Sequence, residues 1–173
     1  MNNIITIIVV VVVAAVVGGL FFFQTGIPAG SVIPPVVELV GEDDDEMRLY
    51  GAIVLAGKSS PLLDFTKESY DAVGASGKLI VLYFYANWCP ICKEETANAL
   101  YPAFNALAGE GVIGFRVNYN DDETDDDERS LAREFGVAYQ HTKVFVKDGA
   151  RVLKSPEGWT KERYLTEIAT FTK

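Results

Sequence analysis

Seven consecutive apolar and aromatic residues, Leu79-Ile80-Val81-Leu82-Tyr83-Phe84-Tyr85, run without a charge into Ala86-Asn87-Trp88-Cys89-Pro90-Ile91-Cys92. A strand with one face in water alternates apolar and polar residues, because successive side chains point to opposite faces. This one is apolar on both faces. It therefore belongs in the middle of a sheet covered by helices on both sides. Leu100, Phe104, Leu107 and Ala108 form one stripe downstream, so the chain turns from strand to helix at the cysteines. Pro102 lies inside that helix and predicts a kink.

The flanking segments complete an α/β pattern. Tyr50 to Ala56 and Leu62 to Phe65 are short β stretches, and Thr66 caps a helix from Lys67 to about Ala75. Val112 to Tyr119 is a second central strand. Asp121 to Glu128 is a charge run without the ligand spacing of a calcium loop, which predicts a solvated acidic loop. A short helix from Arg129 to Phe135 follows, stopped by Gly136. Lys143 to Val146 and Arg151 to Leu153 pair as a hairpin through Asp148-Gly149. Thr160 caps a last helix with Tyr164, Leu165, Ile168 and Ala169 inward, and Trp159 packs beneath it. The expected architecture is a central mixed sheet flanked by helices, parallel strands first and an antiparallel hairpin last.

The amino-terminal part has a different character. From Ile4 to Phe23 there is no charge, and about 20 helical residues span the ~30 Å hydrocarbon layer. A single transmembrane helix is expected over residues 1–23. A cleaved signal peptide is the other reading, but the run is longer than a typical h-region and no Lys or Arg precedes it. Residues 24–48, with Pro28, Pro34, Pro35, Gly41 and the acidic run Glu42 to Glu46, form a tether. Residues 49–173 form the domain. The acidic flank suits an extracytoplasmic, periplasmic or cell-surface location.

With a net charge of -9 and no basic stripe, the 173-residue chain is a poor partner for nucleic acid. Its two cysteines are three positions apart, too close for their disulfide to close a long loop, so they serve chemistry rather than stapling. Cys89 falls at a helix N-terminus, where unpaired N–H groups and the macrodipole favour a thiolate. Pro90 costs little in the first turn. Cys92, one turn on, can resolve a mixed disulfide. Half of a zinc site, a buried structural pair, and incidental cysteines in a tethered interaction domain are the competing readings.

The segment Leu79 to Cys92, with Ala86-Asn87-Trp88-Cys89-Pro90-Ile91-Cys92 and then Lys93, resembles the active-site segment of the thioredoxin superfamily, and the likeness extends over roughly Tyr50 to Lys173. It is closest to membrane-anchored or periplasm-facing bacterial thioredoxin-like proteins. The resemblance implies a thioredoxin-like fold and thiol–disulfide exchange with protein thiols and disulfides, supplied by a redox donor and needing no cofactor. It makes Cys89 the nucleophile and Cys92 the resolving cysteine, with Trp88 packed beside the site.

Three positions depart from the family pattern. Tyr83 stands where the family has a buried acidic residue that moves protons. Arg116 matches a lysine of the next central strand and cannot donate a proton in this pH range. His141, within Tyr139-Gln140-His141-Thr142, stands where the family has a cis-proline facing the cysteines. Three readings stay open for it: a packing histidine, an imidazole that stabilises the thiolate or shuttles a proton, or a ligand joining Cys89 and Cys92 around copper, zinc or an iron–sulfur cluster.

Overall fold

The computed structural model describes residues 46–173. The expected anchor, and the tether as far as residue 45, lie outside them. Among the described residues no helix is long and apolar enough to cross a membrane.

The elements run β1 (Arg48–Leu49), β2 (Ala52–Ala56), β3 (Leu62–Asp64), α1 (Lys67–Gly74), β4 (Leu79–Tyr85), α2 (Pro90–Glu95), a π-helical turn (Thr96–Leu100) and α3 (Tyr101–Ala106). They continue with β5 (Val112–Asn118), α4 (Asp126–Glu134), β6 (Thr142–Lys147), β7 (Ala150–Ser155) and α5 (Lys161–Phe171). The seven strands form one sheet in the order β1-β2-β3-β5-β4-β6-β7. β3 and β4 run parallel to β5, while β4–β6 and β6–β7 are antiparallel.

β4 is central, as its two-sided apolarity requires. Ile80, Leu82 and Phe84 join one core with Val73 of α1 and Leu131 and Ala132 of α4. Leu79, Val81 and Tyr83 join the other with Leu100, Phe104, Tyr164 and Ile168. Ala169 is exposed, so the inward stripe of α5 is narrower than its sequence pattern suggested.

Three expectations are corrected locally. Tyr50 and Gly51 do not belong to a strand: both have left-handed φ (53° and 80°) and turn β1 into β2. The helix after the acidic run starts at Asp126, ahead of Arg129. Asp125 accepts the Glu128 N–H while the Glu128 carboxylate reaches back to the Asp125 N–H, a reciprocal cap. The kink expected at Pro102 takes the form of the π-helical turn just before it. Pro102 has no N–H to donate and crowds the carbonyl four residues back. The wider turn, with Tyr101 N–H donating to Thr96 O, takes up the mismatch.

Candidate active site

The short segment between β4 and α2 is pinned from outside. The Asn87 N–H donates to Asp121 Oδ2 at 2.8 Å, its side-chain amide donates to Asp122 Oδ1 at 2.6 Å, and the Trp88 indole donates to Asn120 O at 2.9 Å. Part of the acidic run is therefore structural rather than solvated. Asp121 and Asp122 anchor the residues before the cysteines, and Glu128 is buried, accepting the Asn118 N–H at 2.7 Å. Trp88 itself is 54% exposed and lies on the rim. Burial outweighs the two N–H donors of Glu128 and pushes its carboxyl up to about 7.

Cys89 is the N-cap residue of α2 and Pro90 occupies its first turn. Both cysteines are free thiols. The Cys92 N–H donates to Cys89 Sγ at 3.3 Å. Cys89 keeps 3% exposure and Cys92 none. The Cys92 thiol is pushed up, first by burial and then by its hydrogen bond with Cys89, while the Tyr83 hydroxyl opposes the shift.

His141 reaches this pair from the loop before β6. One of its ring nitrogens and the two sulfurs all lie within 4.8 Å of one another. Its backbone is left-handed (φ 51°), and its Nδ1 is buried with no hydrogen-bond partner among the described residues. Burial, then the neighbouring Lys143 ammonium, hold the imidazole below its usual range, so it is neutral near pH 7.

Below the cysteines lies a buried polar network that the sequence reading missed. Glu95, on the inward side of α2 one turn after Cys92, is 6% exposed. Its Oε1 accepts from Lys143 Nζ at 2.7 Å, Tyr164 Oη at 2.8 Å and the Trp159 N–H at 3.0 Å. Its Oε2 accepts from the Tyr83 hydroxyl at 3.4 Å. Lys143 is wholly buried, and its other two donors go to the His141 and Glu157 carbonyls. Its Nζ also stands 5.4 Å from the ring centroids of Tyr83 and Trp159. Burial pulls the ammonium below its usual range, and Glu95 pulls it back. A signal for Lys143 was present: it shares an inward face with Phe145, and an inward lysine requires a buried partner.

Arg116 is corrected accordingly. It does not stand in for a site lysine, because its guanidinium is committed to Asp64 Oδ1 at 3.0 and 3.2 Å and lies over the Tyr85 ring. The buried cation near the cysteines is Lys143. Tyr83 is fully buried on the inward face of β4, and the carboxylate at that depth is Glu95, which accepts its hydroxyl. An open groove lined by Ile91, Glu94, Asn98, Trp159 and Thr160 reaches Glu95 from outside.

Comparison with known proteins agrees with this geometry. Residues 61–170 match the family model Thioredoxin. Thioredoxin H4 of Arabidopsis thaliana is 36% identical over 105 residues, which is 59% of this chain and 78% of the relative. The thiol:disulfide interchange protein DsbE of Yersinia pestis is 36% identical over 86 residues, 49% of this chain but only 43% of the relative. Among solved structures, Trxlp from Edwardsiella tarda superposes with TM-score 0.51 at 24% identity, over 62% of this chain and 97% of that one. Malassezia sympodialis thioredoxin superposes with TM-score 0.52 at 22% identity, over 69% and 96%, and both likenesses bear on the fold alone. With its buried Cys-x-x-Cys dithiol at the head of a helix, this chain belongs to the thioredoxin family of thiol–disulfide oxidoreductases.

Proposed function

We propose that the domain exchanges disulfides with protein substrates, Cys89 attacking and Cys92 resolving. The observation that carries the order is exposure: of the two cysteines, Cys89 keeps 3% exposure at the head of the helix while Cys92 has none. The Cys89 thiolate attacks a substrate disulfide, forming the mixed disulfide and releasing one substrate thiolate. Cys92, deprotonated, then attacks Cys89 Sγ and releases the second. The chain ends as the disulfide and the substrate as the dithiol, and a second dithiol couple returns the pair to the reduced state.

Cys92 is raised by burial and must lose its proton for the second step. Tyr83 and Glu95 form the route by which that proton leaves, since the Tyr83 hydroxyl neighbours the thiol and donates to Glu95, which borders the groove. The neutral imidazole of His141 faces the same sulfurs.

Trapping tests the order. Cys92→Ala is expected to accumulate mixed disulfides with partner proteins through Cys89, and Cys89→Ala to accumulate none. Capture by Cys89→Ala alone would reverse the assignment.

We further propose that residues 1–23 anchor the domain on the extracytoplasmic side of a membrane, on the support of the uncharged run from Ile4 to Phe23 and the acidic flank after it. The chain is expected to stay with membranes through alkaline carbonate and to react, in intact cells, with a maleimide that cannot cross a bilayer. Release by carbonate would sink the anchor.

A further inference from the structure

We propose that the reduced dithiol and His141 together form a zinc(II) site of the Cys2His type. The argument starts from placement. Two sulfurs at the head of α2 and an imidazole from the loop before β6 converge to within 4.8 Å of one another. Zinc–sulfur bonds of about 2.3 Å and zinc–nitrogen bonds of about 2.0 Å put donors on one ion roughly 3.5–3.8 Å apart. Rotamer adjustment closes the remainder.

Both sides of the cluster are held independently of any ion. Asp121, Asp122 and Asn120 fix the segment before Cys89, and Lys143 fixes the His141 carbonyl at 2.9 Å. The second observation is the orphan nitrogen: His141 Nδ1 is buried and donates to or accepts from nothing among the described residues. Buried ring nitrogens are ordinarily partnered. The backbone at 141 is left-handed (φ 51°), a conformation that histidine adopts more readily than most residues.

Charge calls for a divalent ion, and zinc(II) is the divalent ion that sits on thiolates in tetrahedral sites without redox chemistry of its own. The Lys143 ammonium is already matched by Glu95. Two thiolates and a neutral imidazole around a divalent ion sum to zero, whereas a monovalent ion would leave a buried negative charge. Three protein donors leave the fourth tetrahedral position open to water or to a ligand.

Zinc and the disulfide exclude each other. Binding displaces two thiol protons and transfers no electrons. A substrate disulfide that oxidises the pair takes up the two electrons, becomes a dithiol, and expels the ion. The site is thus loaded only in the reduced chain.

The test uses the full chain in detergent, reduced and then freed of reductant under anaerobic conditions, titrated with zinc(II) against a chromophoric chelator. One zinc per chain is expected, none after oxidation of the pair. His141→Asn tolerates the left-handed backbone and removes the imidazole. It is expected to weaken zinc by more than the roughly 10- to 100-fold that loss of an outer-shell partner costs. X-ray absorption of zinc-loaded wild type needs no variant and is expected to show two sulfurs and one imidazole nitrogen. Absence of stoichiometric zinc, a shell without imidazole, or wild-type affinity in folded His141→Asn would overturn the site. Trapping through Cys89 involves no metal, so the exchange reading stands or falls separately.

Discussion

The buried pair of Glu95 and Lys143 makes a quantitative demand on stability. Glu95→Gln keeps an oxygen for the Trp159 N–H and the Tyr164 hydroxyl but removes the counter-charge of an ammonium with no solvent exposure. Lys143→Met removes the ammonium and leaves the carboxylate. Breaking a buried pair from one side costs about 3–5 kcal/mol, because the survivor is an uncompensated buried charge. The double variant leaves no charge and is expected to cost far less than the sum, giving a coupling of roughly 3 kcal/mol in a double-mutant cycle. Urea unfolding of the full chain in detergent, followed by near-ultraviolet circular dichroism, measures all four species. For a domain of this size each single variant is expected to lose on the order of 10 °C in Tm. Glu95→Gln also carries a pH signature. Lys143, already held below 10.5 in the wild type, has lost the group that raised it, so its folded pKa falls further. Between the variant's folded pKa and the wild type's, the unfolded variant binds more protons than the folded one. Its deficit relative to wild type therefore shrinks as pH rises through that range, which ends below 10.5. Single variants that add to within about 0.5 kcal/mol of the double would refute the coupling.

Gly114→Ala is expected to destabilise by about 1–3 kcal/mol, because a Cβ there would stand 2.4 Å from the Phe104 ring and 2.6 Å from Leu62 Cδ1, both fully buried; an unchanged urea midpoint would contradict that packing. Glu128, raised from 4.5 to about 7, binds its proton more tightly folded than unfolded. Its stabilising contribution is full below pH 4.5 and is lost as pH rises through about 7, on the order of 2 kcal/mol relative to Glu128→Gln in parallel melts; superimposable pH profiles of the two proteins would contradict it.

Local chemistry wrote much of this protein into its sequence. The two-sided apolarity of Leu79 to Tyr85 dictated a central strand, since a strand without a polar face has nowhere else to go. Thr66 and Thr160 cap the helices expected of them, and Asp148-Gly149, with φ of 50° and 74°, turns the hairpin. The spacing of Cys89, Pro90 and Cys92 set the dithiol at a helix head. These features depend on residues within a turn of one another. What tertiary structure decided involves partners far apart in the chain. Arg116 and Lys143 were equally available as the cation of the site; pairing of β3 with β5 gave Arg116 to Asp64, and pairing of β4 with β6 sank Lys143 beneath the cysteines. Glu94 and Glu95 are indistinguishable by composition, and only the rotation of α2 against β4 turned Glu95 to Lys143, 48 positions away. The lone histidine had several fates open to it. Its meeting with Cys89 and Cys92 arises because β6 lies against β4, which brings the loop before one strand to the end of the other.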